Sequence, residues 1–168
     1  MKYFKNSEIL GEIVFEVPLM DGRVIYMSPR KTAALNEKRC VVIVDAKKFL
    51  DLWRIEPNSG HYEIANGNPE TWRNDKKYPN AELGFSQGRN NPVPLAEVAF
   101  FKAGSINLCQ NHVRFTDGVT RTIWLLANGC QEFPVECLLS GDAEGLYEAA
   151  GAVGTSLKTI VEIIEESR

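Results

Sequence analysis

The chain is poor in the residues that hold metals or build disulfide frameworks. Its 168 residues include only two histidines, His61 and His112, and four scattered cysteines, Cys40, Cys109, Cys130 and Cys137, with no C-x-x-C pair. That inventory excludes the usual zinc spacings, and no metal site is expected. No run of about 18 apolar residues exists, so no membrane insertion is expected. The opening "MKYFKNSEIL" lacks the continuous apolar stretch and small-residue cleavage site of a signal peptide. A cytoplasmic protein with free thiols is the corresponding expectation. Basic charge is not in excess either: 19 Lys and Arg stand against 22 Asp and Glu, a net charge of −3. This argues against nucleic-acid or anionic-membrane binding over the whole surface, while leaving room for a local basic site or for docking onto a basic partner.

What is present suits an ordinary globule. Hydrophobic residues make up 44% and charged residues 24%, and the length allows one domain over residues 1–168 with a real core. Residues 1–30 hold two β-rich runs around Asp21-Gly22, a hairpin signal in which both turn positions tolerate positive φ. Over 40–54, "CVVIV" reads as a strand buried on both faces, and Asp45 as the N-cap of a helix carrying Phe49, Leu50 and Trp53. Residues 55–91 are rich in Asn, Gly and Pro, with single aromatics at Tyr62, Trp72, Tyr78 and Phe85. That insertion is expected to form short elements folded back on the body. As a lid or partner-binding face it would use Trp72, Arg73 and Arg89 as anchors.

Within 92–138, "NPVPLAEVAFFKAG" predicts a helix with Pro94 at its first position and Gly104 as its stop. "NHVRFT" and "QEFPVEC" alternate as strands of one sheet, and Pro134 implies an edge or irregular position for the latter. Between them a nearly all-apolar helix over Thr120 to Asn128 is expected to be buried and to hold Ile123, Trp124 and Leu126. In 142–168, Asp142 is expected to cap a short helix ending at Gly151. Thr155 or Ser156 then caps a C-terminal amphipathic helix with Leu157, Ile160, Val161 and Ile164 on its apolar side. Glu162, Glu165 and Glu166 form its other face, and suit a partner with a basic cleft. The order of elements makes a mixed α/β (α+β) fold.

One turn carries chemistry. At Asp117-Gly118-Val119-Thr120-Arg121 a strand passes through a glycine into a helix, which gathers unpaired N–H groups and partial positive charge at one spot. A phosphate suits that spot, with Arg121 as principal cation and Arg114 on the preceding strand as the second. The competing possibility is a plain corner in which Arg121 pairs with Asp117 or a nearby Glu.

The longer stretch "VRFTDGVTRTIWLLANGCQEFPVEC" resembles the strand–turn–helix–strand unit of the ParB/sulfiredoxin-like superfamily. Its "DGVTR", "LLANGC" and "FPVEC" stand for that unit's Gly-x-x-Arg turn, its Gly-ended loop and its "IPV"-like strand. With "NPVPLAEV", the chain looks most like the plasmid fertility inhibition factors, small proteins that block conjugative transfer of a competing plasmid. The match is close over Asn91 to Cys137, looser from Cys40 to Asn90, and absent from the N-terminal hairpin and the last helix.

The resemblance implies a protein partner in a conjugative transfer apparatus, with nucleotide, phosphate or nucleic acid at Gly118 and Arg121. Val119 and Thr120 stand where sulfiredoxin carries its reactive cysteine and a histidine. No redox role and no catalytic residue are therefore assigned, and no cysteine is expected to be needed for function. Weak nucleotide hydrolysis or nuclease activity is implied by the resemblance alone. The alternative is an immunity protein that neutralises a bacterial nuclease toxin by direct protein–protein binding, without ligand or catalysis.

Overall fold

The computed structural model describes residues 1–9, 12–30, 38–56, 60–104 and 109–167. Two sheets carry the fold. The first joins β1 (Lys2–Lys5), β2 (Ile13–Pro18), β3 (Val24–Ser28) and the two-residue β5 (Val93–Pro94), in that spatial order. The β2–β3 connection is a three-residue loop, not the two-residue turn read from Asp21-Gly22. The Leu19 N–H donates to the Arg23 carbonyl at 2.8 Å, and only Gly22 in the loop takes positive φ, at 87°.

The second sheet has the order β7-β6-β8-β4-β9: β4 (Arg39–Asp45), β6 (Ala96–Phe101), β7 (His112–Asp117), β8 (Glu132–Leu138) and β9 (Lys158–Thr159). Cys40 to Val44 are buried throughout, as a run without polar alternation requires. The Asp45 carboxylate accepts from the Lys48 N–H at 2.9 Å and so starts α1 (Ala46–Arg54), which packs Phe49 and Trp53 edge-on against Phe115. The fold is mixed α+β, as the order of elements implies.

Three expectations change. The helix expected from Pro94 to Gly104 is strand β6. Ala96, Val98 and Phe100 are buried while Glu97, Ala99 and Phe101 are half-buried, a period of two that the proline and glycine signals masked. β8 is interior rather than an edge, paired with β4 along its length. Pro134 is tolerated because the parallel ladder to β6 begins only at Val135. The last helix, α7 (Ile160–Glu166), starts at Thr159, not Thr155 or Ser156, because Thr159 and Glu162 form a reciprocal capping box.

The insertion supplies three short helices, α2 (Tyr62–Ala65), α3 (Pro69–Arg73) and α4 (Tyr78–Ser86). Trp72, Tyr78 and Phe85 are buried in the one large core cluster, whereas Tyr62 is 60% exposed. Helices α3 and α4 fold against α5 (Val119–Ala127), whose Ile123, Trp124 and Leu125 are buried while Leu126 is half-buried, and α2 lies against α1. Then α6 (Ala143–Ala150) follows, with Asp142 accepting from the Gly145 N–H at 2.9 Å as the expected cap.

All four cysteines are free, and only Cys109 is exposed. Burial pushes the Cys130 and Cys137 thiols up to about 12, and raises Cys40 as well, so none of the three supplies thiolate near neutrality. Titration of the native protein with a colorimetric disulfide reagent is expected to find one fast thiol, and all four once denatured. Two or more fast thiols would contradict that core.

Candidate functional site at the Asp117–Arg121 turn

Strand β7 delivers Asp117, and the chain then turns at Gly118, whose φ of 103° lies where side chains are rarely tolerated. A Cβ there would lie 2.6 Å from the Ala96 Cβ and 2.7 Å from its Cα. Glycine is therefore required twice, by conformation and by the approach to β6. Helix α5 begins immediately, so its first N–H groups and positive dipole end face outward. They open onto a cleft of about 230 Å³ lined by Phe115 to Arg121 and by His61 and Lys77. A second cleft of about 440 Å³ shares His61, Lys77, Val119 and Thr120 and adds Ile64, Asn74, Asp75, Lys76 and Ile123.

Arg121 does not stand free in this cleft. It is 16% exposed, donates through Nη1 to the carbonyls of Pro94 (2.9 Å) and Leu95 (2.8 Å), and reaches Asp117 Oδ2 through Nη2 at 3.0 Å. Burial lowers its pKa against the opposing pull of Asp117. It thus clamps the β5–β6 junction to the start of α5. Arg114 also lies elsewhere: its Nε donates to the buried Glu56 at 2.7 Å and its guanidinium covers the Phe101 ring at 4.9 Å. His112 is buried and stacked on Phe101 at 5.0 Å, away from the turn.

The residues expected to meet a partner are dispersed. Trp72 is 4% exposed and donates through Nε1 to the Ile64 carbonyl at 2.6 Å, so it is interior rather than an exposed anchor. Its indole is the large apolar body that lets a short helix dock. Arg73 donates to the Ala127 carbonyl at the end of α5, at 2.5 Å, and Arg89 lies over the Phe4 ring at 5.2 Å. On α7, Glu162 is engaged in the capping box, Glu166 accepts from Tyr3 at 3.0 Å and pairs with Lys158, and Glu165 is exposed.

Sequence reasoning missed the lysines of the two clefts, Lys77 in both and Lys76 in the larger. Lys76 and Lys77 come from the insertion, just ahead of α4. Among the described residues neither is in an ion pair. Their only local signal was the Lys-Lys pair in "NDKKYPN". It also missed an acidic row. Strand register places Asp117 beside Glu97, and Glu97 beside Glu136. Arg39 reaches Glu97 at 3.0 Å and Glu136 at 3.1 Å, and Arg30 pairs with Asp117. Among the described residues no group of three or more acidic, histidine or cysteine side chains could hold a metal ion.

Glu136 is 2% exposed. Burial raises its pKa, against the Arg30 N–H and the Arg39 charge that lower it. A raised native pKa means the folded state holds that proton more tightly than the unfolded chain does. Its favourable contribution is complete below the unfolded value and is lost as pH rises through the native one. The Glu136→Gln variant is expected to remove that slope, at most about 1.4 kcal/mol per pH unit, from stability measured above pH 4.5. An unchanged slope would mean the residue is not a buried carboxylate.

A two-sheet mixed α+β protein with an arginine-clamped glycine turn at a helix start is the class these features define. Comparison with known proteins narrows it. The model of the plasmid fertility inhibition factor family matches residues 41–151, which run from β4 through α6 and include the turn. "Protein osa" from Shigella flexneri is 38% identical over 159 residues, 93% of this chain and 76% of that protein. A crystal structure described as Oncogenic Suppression Activity Protein, a plasmid fertility inhibition factor, in a gold(I) cyanide derivative, superposes with a TM-score of 0.80 at 26% identity. That alignment covers 98% of this chain and 81% of the other, so the likeness extends to the N-terminal sheet and the last helix, beyond the stretch where sequence resemblance stopped. The chain belongs to the plasmid fertility inhibition factor family. Among the described residues no helix is long and apolar enough to cross a membrane.

Proposed function

We propose that the protein inhibits conjugative transfer by binding and disabling a component of the transfer apparatus, and that the cleft at the start of α5 holds a phosphate of a nucleotide or nucleic acid in doing so. One observation carries the ligand: Lys77 and His61, brought by the insertion, line the cleft together with Val119 and Thr120 at the helix start. Backbone donors, a helix dipole and a lysine suit phosphate. No side chain at the turn is assigned to proton transfer, since Asp117 is held by two arginines, so the reading is binding without efficient turnover.

Isothermal titration with ATP and with short single-stranded DNA tests the ligand. Lys77→Ala is expected to weaken binding with little change in stability, because a surface lysine contributes little to folding. Arg121→Ala is expected to cost about 1–3 kcal/mol of stability by leaving two carbonyls and Asp117 short of a donor. No heat from the wild type at millimolar ligand would favour an inhibitor that acts through protein contacts alone. The inhibition itself is read as a fall in mating frequency when the chain is expressed in donor cells. Co-purification from those cells identifies the component bound.

A further inference from the structure

Six charged side chains connect the turn to the middle of the second sheet. Arg121 and Arg30 share Asp117 Oδ2. The Arg30 backbone N–H donates to Glu136 Oε1 at 3.2 Å, and Arg39 joins Glu136 to Glu97. Three arginines balance three acids. Of those acids only Asp117 lines the cleft, so a phosphate at the start of α5 has a carboxylate for a neighbour. Whether that neighbour repels it depends on what neutralises Asp117. Arg121 covers one side but is shared with two carbonyls. Arg30 supplies the second charge, on the same oxygen. It follows β3, is 48% exposed, and does not line the cleft itself.

We propose that Arg30 is a positioning residue for the anion cleft: without touching the ligand, it neutralises Asp117, and the N-terminal sheet thereby sets the phosphate affinity of the turn. This rests on the phosphate reading of the cleft. Arg30 also lies outside the residues matched by the family model, so the motif-bearing core does not contain its own charge balance. Uncovering one carboxylate beside a phosphate at a solvent-accessible site is expected to weaken binding about three- to tenfold.

Titrations with ATP on the full chain, at about 50 mM and about 300 mM salt, provide the test. If the wild type does not bind at all, the phosphate reading fails and the proposal with it. If it binds, Arg30→Ala should weaken binding about three- to tenfold at low salt and less at high salt, and Arg30→Lys should recover most of the loss. Asp117→Asn gives the sharper result, because it should bind ATP more tightly than the wild type. The Arg30→Ala/Asp117→Asn double variant should bind near the wild-type level, more tightly than Arg30→Ala and less tightly than Asp117→Asn, because one charge of each sign is removed. A merely structural ion pair predicts the opposite sign for Asp117→Asn and a double variant at least as weak as either single. Wild-type affinity in Arg30→Ala, or weaker binding by Asp117→Asn, overturns the assignment, and Arg30→Lys and Asp117→Asn keep it testable if the alanine variant does not fold.

Discussion

Trp124→Ala is expected to lower the free energy of unfolding by about 3–5 kcal/mol, the range for emptying a large aromatic site in a packed interior. Trp124 is 2% exposed and stacks on Phe85 of α4, with ring centroids 4.3 Å apart and planes inclined by 25°. The Arg23 guanidinium, from the β2–β3 hairpin, lies 5.8 Å from its ring centroid. One side chain therefore joins α5, the insertion and the first sheet, and alanine leaves a void lined from three directions. The indole Nε1 has no partner among the described residues, so the loss is of packing and not of a hydrogen bond. Trp124→Phe keeps a ring against Phe85 and should cost less than half as much. Urea unfolding followed by circular dichroism measures both. A loss below about 1 kcal/mol for alanine would mean that the insertion is not anchored through this contact.

The second large effect is Gly118→Ala, at about 2–6 kcal/mol. Part is conformational, since a residue with a side chain at φ 103° is strained by about 1–3 kcal/mol. The rest is steric: the new methyl would meet the Ala96 Cα and Cβ inside 3 Å, and neither β6 nor the turn can move without disturbing pairing, a further cost of about 1–3 kcal/mol. Gly22→Ala is the control. Its φ is 87°, but no heavy atom lies within 4 Å of the added Cβ, so only the conformational part applies. Equal losses for the two variants would show that the close approach to β6 is absent. Phosphate binding should fall with Gly118→Ala and not with Gly22→Ala.

The resemblance found in the sequence and the family match cover similar ground for a physical reason. "FTDGVTR" and "LLANGC" are local signals: a strand's alternation, a glycine that permits the turn, a mostly apolar helix and a glycine that ends it. Asp45 as an N-cap and Cys40 to Val44 as a doubly buried strand were legible for the same reason, because each is decided by neighbours within a few residues. The error at β6 shows the limit. Pro94 and Gly104 are local signals for a helix around "AEVAFF", yet β7 on one side and β8 on the other impose a strand through pairing partners that proximity in sequence does not reveal.

The site divides along the same line. The sequence by itself determined that a glycine turn starts a buried helix here and that Arg121 lies one helical turn from Asp117, since both follow from residue type and spacing. Only the tertiary structure decided what Arg121 does, because its acceptors Pro94 and Leu95 lie 27 and 26 residues away along the chain. The same holds for the row Asp117–Glu97–Glu136, which exists through the register of β7, β6 and β8. It holds for Arg30, Lys77 and His61, carried to the turn by the first sheet and the insertion. Backbone conformation is set by short-range sterics and is written locally. Charge balance and ligand access are set by which surfaces hydrophobic burial presses together, and that is settled only when the whole chain is packed.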